Sequence, residues 1–108
     1  MNLKIHDNKL IILRKSRIQL IPLEHILFFE RFGQKTYISL QECEFTIRNT
    51  LKQLEEILPS NFKRVHRSFI VNTNHILELK ILNENTYEAF FPGDKHALVS
   101  KEIVNYIF

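Results

Sequence analysis

At 108 residues, with 44% hydrophobic and 25% charged side chains, the chain has material for one modest core. Two Gly and three Pro exclude collagen and low-complexity linkers; a single Cys excludes an internal disulfide framework or a zinc site built on several thiolates. Lys plus Arg number 15 against 12 Asp plus Glu, a net +3 that names no partner by itself.

Residues 9–14 and 17–21 flank Lys15-Ser16 and read as a hairpin. Pro22, which cannot donate to a ladder, interrupts it. Residues 26–31 form a strand, 32–35 a turn, and 36–40 a strand that completes a second hairpin. Residues 42–46 are a further short strand. At Leu51 the period changes: Leu51, Leu54, Ile57 and Leu58 recur at helical spacing. Thr50 with Gln53 three residues later is a capping-box pattern, and Pro59 disfavours helical geometry at Leu58. The helix is therefore expected over about 51–58.

Residues 61–74 read as irregular, with apolar anchors at Phe62, Val65, Phe69, Ile70 and Val71. Residues 76–81 and 86–91 are strands joined by a turn at 83–85. Residues 92–94 turn the chain into a last strand, 95–99, and Ser100 caps a short C-terminal helix over 101–107. The fold class is mainly β and antiparallel, one domain over 1–108. No apolar run approaches the ~18 residues of a membrane span, and the first seven residues lack the build of a signal peptide. The expectation is a cytoplasmic module with no membrane partner.

Charge is distributed unevenly. Between Glu56 and Glu78 there is no acidic residue, while Lys63, Arg64, His66, Arg67 and His75 stand among Ser60, Asn61, Ser68, Asn72, Thr73 and Asn74. A segment that is cationic and rich in hydrogen-bond donors suits phosphate-backbone binding. A second acid-free window, 9–17, carries Lys9, Arg14, Lys15 and Arg17; it reads as a solvated face guarding an edge strand. A third, 95–101, carries Lys95, His96 and Lys101.

The run Phe62-Lys63-Arg64-Val65-His66-Arg67-Ser68-Phe69-Ile70-Val71-Asn72 resembles the signature of the LytTR family of bacterial DNA-binding domains. Residues 23–30, Leu-Glu-His-Ile-Leu-Phe-Phe-Glu, resemble that family's first strand motif. Residues 50–55 resemble its helix start. Asn74-His75-Ile76, with Leu98-Val99-Ser100-Lys101 further on, resembles its close. The resemblance runs from about Ile18 to Tyr106. It implies an elongated stack of small antiparallel sheets whose loops enter successive major grooves at paired direct repeats in promoters. It also implies a transcriptional regulator, often the output domain of a two-component response regulator, with a receiver domain or a homodimer on DNA as partners. These 108 residues contain no receiver, so the resemblance leaves either a detached output domain or a stand-alone regulator.

Carried over by position, the resemblance places Lys35 and Thr36 at a base-contacting turn. It places Arg67 in the His-Arg-Ser element and Lys101 where the family has an Arg reading a base. Lys63 would contact phosphate; Arg64, Ser68, Asn72 and Ser100 would contact phosphates or hold the loop in shape. Lys at 101 offers a point charge where Arg offers a planar fork, which alters discrimination at that base. An outward Arg67 competes with a surface ion pair to Glu55 or Glu78. His66 is divided between DNA contact and a structural role.

Two other functions compete with this one. A metal-dependent nuclease would draw on His66, His75 or His96, but no paired carboxylates accompany them at ligand-like spacing. No catalytic residue, metal or cofactor is therefore expected. A protein- or single-stranded-RNA-interaction module would use exposed rings, for which Phe90-Phe91 is the best candidate.

Overall fold

A computed structural model describes residues 2–108. Its N-terminal sheet has strands β1 (Leu3–His6), β2 (Lys9–Leu13) and β3 (Ile18–Pro22), antiparallel in that order. Alternate residues of a strand share a face, and here Leu3, Leu10, Ile12 and Ile21 share the buried one. The turn between β1 and β2 holds Asp7 and Asn8 at φ 54° and 58°. Asp and Asn tolerate that left-handed backbone better than other side chains do, and it suits a two-residue hairpin. The sequence pattern alone does not predict strand β1.

The central sheet contains β4 (Ile26–Phe32), β5 (Lys35–Leu40), β6 (Glu44–Ile47), β7 (Phe62–His66) and β8 (Phe69–Asn72). Their spatial order is β6-β5-β4-β8-β7, antiparallel throughout. Helix α1 (Leu51–Glu55) connects β6 to β7. The third sheet has β9 (Glu78–Asn83), β10 (Thr86–Phe91) and β11 (Lys95–Ser100), with β10 in the middle, and is followed by helix α2 (Lys101–Ile107).

The three sheets stack, which gives an elongated body of 45 × 24 × 23 Å. Phe29, Ile38 and Ile70 face the N-terminal sheet and α1, packing with Leu10, Ile12, Leu51 and Leu54. Phe28, Phe69 and Val71 face the third sheet, packing with Ala89, Phe91, Ala97 and Val99. The run Ile26-Leu27-Phe28-Phe29 is apolar without alternation because β4 is covered on both faces. Full burial of Phe29 is worth about 2–3 kcal/mol.

Three expectations need correction. Residues 61–74 are not an irregular loop: β7 and β8 form a hairpin inside the central sheet. The run Phe69-Ile70-Val71 hides its period because both faces of β8 are buried, and a bulge between Arg64 and His66 breaks alternation in β7. Helix α1 ends at Glu55 rather than Leu58. The Thr50–Gln53 capping box is present, but ahead of Pro59 the backbone tightens and Glu56 N–H donates to Gln53 C=O. Phe90-Phe91 is no exposed platform: Phe91 is buried, and half-buried Phe90 lies under the Lys80 ammonium. Among the described residues no helix is long and apolar enough to cross a membrane.

Candidate nucleic-acid interface

The turns β4–β5 and β7–β8 lie at the same end of the central sheet because β4 and β8 are antiparallel neighbours. Glu30 pairs with Phe69, and Arg31 N–H donates to Ser68 C=O at 2.8 Å. Strand spacing separates the centres of the two turns by about 10 Å. The first turn passes through Gly33 at φ 61°, a left-handed backbone that glycine adopts freely. It leaves Phe32 and Lys35 exposed.

The third sheet delivers its own bend to this end. Lys101 N–H donates to Asn85 C=O at 3.0 Å, joining the start of α2 to the β9–β10 turn. Ser100, Lys101, Asn85 and His66 line one concavity; Ser100, His66 and Arg67 line another beside it. Lys35, Arg67 and Lys101 thus stand along one rim. Each is exposed, and among the described residues none of them has an acidic partner. The carboxylates that could pair with Arg67 are engaged elsewhere: Glu55 binds Arg64, and Glu78 binds Lys80.

The rim is braced from behind. Arg64 donates Nε–H to His66 C=O (3.0 Å), Nη2–H to Arg67 C=O (2.7 Å) and Nη1–H to Glu55 Oε2 (2.7 Å). One planar fork therefore holds the β7–β8 turn against α1. Inside the turn, Ser68 N–H donates to His66 Nδ1 at 3.0 Å. A backbone amide can only donate, so Nδ1 accepts and the ring is neutral with its proton on Nε2. Burial, then Arg67 and Arg64, lower the His66 pKa below its ordinary value and favour the same neutral form. The β4–β5 turn has a matching brace. Arg31 Nη1 donates to Thr36 Oγ1 and to the Arg48 and Asn49 carbonyls, and Thr36 Oγ1 donates to Asn49 C=O at 2.6 Å.

A family model described as LytTr DNA-binding domain matches residues 16–108. The chain belongs to the LytTR family of DNA-binding domains. It is 29% identical over 102 residues to the transcriptional regulatory protein NatR of Bacillus subtilis, covering 93% of this chain and 44% of NatR. It is 31% identical over 98 residues to the sensory transduction protein LytT of Bacillus cereus, covering 90% of this chain and 40% of LytT. The chain thus spans less than half the length of these curated relatives. A solved LytTr DNA-binding domain from Bacillus cereus superposes with a TM-score of 0.78 at 26% identity, covering 94% of each chain.

Within this LytTR fold not every sequence-predicted site residue reaches the rim. Lys35, Arg67, Ser68, Ser100 and Lys101 do. Ser100 precedes α2 without capping it, so its hydroxyl is not spent on the helix. The Thr36 side chain is fully buried and committed to Asn49 and Arg31, which corrects its place as a base contact. Asn72 is buried as well. Its amide donates to Ile26 C=O and accepts from Asn61 Nδ2 and Asn74 N–H, so it orders the loop and offers no phosphate contact. Arg64 and His66 hold the turn's shape. Lys63 sits near the far end of β7, beside Tyr106, Ile107 and Phe108 of the C-terminal segment, and off the rim. Sequence reasoning missed Arg31, Asn49 and Asn85. Asn49 and Asn85 act through their backbone carbonyls, and Arg31 through a guanidinium whose carbonyl acceptors lie 17 and 18 residues away, so local sequence does not announce these roles.

Proposed function

We propose that this LytTR domain binds double-stranded DNA sequence-specifically as the DNA-contacting part of a bacterial transcriptional regulator. The reading rests on Lys35, Arg67 and Lys101: three exposed cations without acidic partners among the described residues, from three separate bends, along one braced rim. Turn centres about 10 Å apart suit entry into a major groove ~12 Å wide. Lys35, Arg67 and Lys101 read base edges, while Ser68, Ser100 and backbone amides of the turns position phosphates. Lys63, away from the rim, adds at most a flanking backbone contact. In this reading paired direct repeats engage two copies of the domain, which pair either as a homodimer on DNA or through a receiver domain. Lys101 favours guanine O6 or N7 without the bidentate geometry of Arg.

The test is in vitro selection of a binding site followed by titration of variants. Arg67→Ala and Lys101→Ala each lose about 1–3 kcal/mol at one base position and relax its preference. Binding that neither weakens with salt nor changes base preference in either variant rejects the proposal.

A further inference from the structure

The hairpin turn between β2 and β3 carries Arg14, Lys15, Ser16 and Arg17. Composition alone marks it as a solvated face. Its position says more. Arg14 Nη2 donates to Thr46 C=O at 2.9 Å and Arg14 Nε donates to Gln19 Oε1, so the turn is stapled to β6. Within the turn, Arg14 N–H donates to Arg17 C=O at 3.0 Å. Thr46 lies two residues before Arg48, whose carbonyl is held by Arg31, the same brace that fixes the β4–β5 turn. The opposite turn of this sheet, at Asp7 and Asn8, sits by Leu23 in the short 3-10 turn that leads into β4, away from the rim.

Each of the three stacked sheets therefore sends a cationic bend toward one side. Strand order and the Arg14–Thr46 bond set the bends carrying Lys15, Arg17 and Arg48 beside β6, then Lys35 at the β4–β5 turn, then Arg67 at the β7–β8 turn, with Lys101 beyond it beside His66. The strand β6 is the outer edge of the central sheet, about 17 Å from the β7–β8 turn by strand spacing. The side chains of Lys15, Arg17 and Arg48 are exposed and, among the described residues, have no acidic partner. Lys9, in the same acid-free window, differs: it pairs with Asp7. The family match begins at residue 16, so Arg14 and Lys15 fall outside it.

We propose that Lys15, Arg17 and Arg48 form a phosphate clamp that grips the duplex backbone flanking the groove entered by the β4–β5 turn, with Arg14 as the positioning residue that holds the clamp on β6. This inference rests on the reading of the domain as a duplex-DNA binder and extends its footprint outward. Three free cations at the edge of the rim suit phosphate oxygens, which need charge and no base-specific geometry.

The experiment uses a duplex selected in vitro by the wild-type protein, cut at the selected site or extended on each side in turn by about five base pairs, ~17 Å at 3.4 Å per step. The variant is Lys15→Ala/Arg17→Ala/Arg48→Ala, with Lys15→Glu as a milder second variant and melting temperature as the folding control. The wild type is expected to bind one extended duplex more tightly than the short one; the triple variant binds both alike. With about 0.9 counterions released per phosphate, three lost contacts lower the salt slope by about 2.7. The wild-type advantage on the extended duplex then shrinks about 40-fold between 50 and 200 mM salt. A triple variant that keeps the full gain from extension overturns the clamp. So does a loss that is equal on short and extended duplexes. Loss only of cooperativity between two sites overturns it in favour of a contact between proteins. Failure of the parent reading is distinct: the wild type then binds no duplex, or Arg67→Ala and Lys101→Ala leave binding unchanged.

Discussion

Replacing Arg64 with Lys keeps the charge and removes the fork. If Arg64 were a phosphate ligand, Lys would serve nearly as well. The structure instead has it join the His66 and Arg67 carbonyls to Glu55 through one guanidinium. A single ammonium cannot span those three acceptors. Two charge-assisted bonds to carbonyls contribute roughly 1 kcal/mol each once discounted for partial exposure. The ion pair adds at most about 1 kcal/mol, since the Arg64 and Glu55 side chains are 32% and 42% exposed. Arg64→Ala should therefore cost about 2–3 kcal/mol of stability, and Arg64→Lys most of that. If about 1.4 kcal/mol of the loss falls on the order of the β7–β8 turn, Kd for a selected duplex rises about tenfold. Both variants should keep the wild-type salt slope, because no phosphate contact disappears. Glu55→Gln, which leaves the carbonyl bonds in place, should change Kd little. Fluorescence anisotropy titrations at several salt concentrations, with thermal melts, test the set. An Arg64→Lys protein with wild-type affinity, beside an Arg64→Ala protein whose slope drops by about one, would refute the positioning role.

Asn72→Ala removes a donor from the buried Ile26 carbonyl and an acceptor from Asn61 and Asn74. It should cost about 2–3 kcal/mol in urea unfolding, while Kd of the folded protein moves less than about threefold. The His66 ring, held below its ordinary value of 6.5 by burial and then by Arg67 and Arg64, makes the unfolded chain bind a proton first. Stability from its neutral form is full above that value and drains away as pH falls through the folded-state pKa. His66→Asn keeps an acceptor for the Ser68 amide without titrating, so its melting temperature relative to wild type should climb as pH drops below about 6.5. Glu30 contributes with the opposite sign, since burial and then Glu44 raise its carboxyl against the pull of His96. That contribution is common to both proteins and cancels in the difference. A constant offset between the two across this range would contradict the assignment.

Legibility differed by region for physical reasons. The hairpin around Lys15-Ser16, the Thr50–Gln53 capping box and the strand at Thr86–Phe91 follow from local rules, because one face of each element is wet or its cap is adjacent in sequence. The β7–β8 hairpin was hidden by burial of β8 on both faces and by the bulge before His66. In the candidate site, the acid-free cationic window that holds Arg67 was readable from residue type and spacing, whereas Lys35 and Lys101 entered through the family resemblance; among the described residues none of the three has an acidic partner. Side-chain direction was not readable. Thr36 and Asn72 turn inward because the backbone carbonyls of Asn49 and Ile26 need partners there. Arg64 looks like Arg67 in sequence, yet one faces the turn's own carbonyls and the other faces solvent. The Arg14–Thr46 contact joins residues 32 apart, which no local pattern announces.

Titrating a selected duplex into labelled protein and following backbone amides by NMR tests the rim most directly. Gly33, Gln34, Lys35, Arg67, Ser68, Asn85 and Lys101 should shift or broaden together, while Asp7, Asn8, Gly93 and Asp94 at the opposite end stay unmoved. Perturbations centred on that opposite end, or confined to one of the rim's bends, would contradict the account.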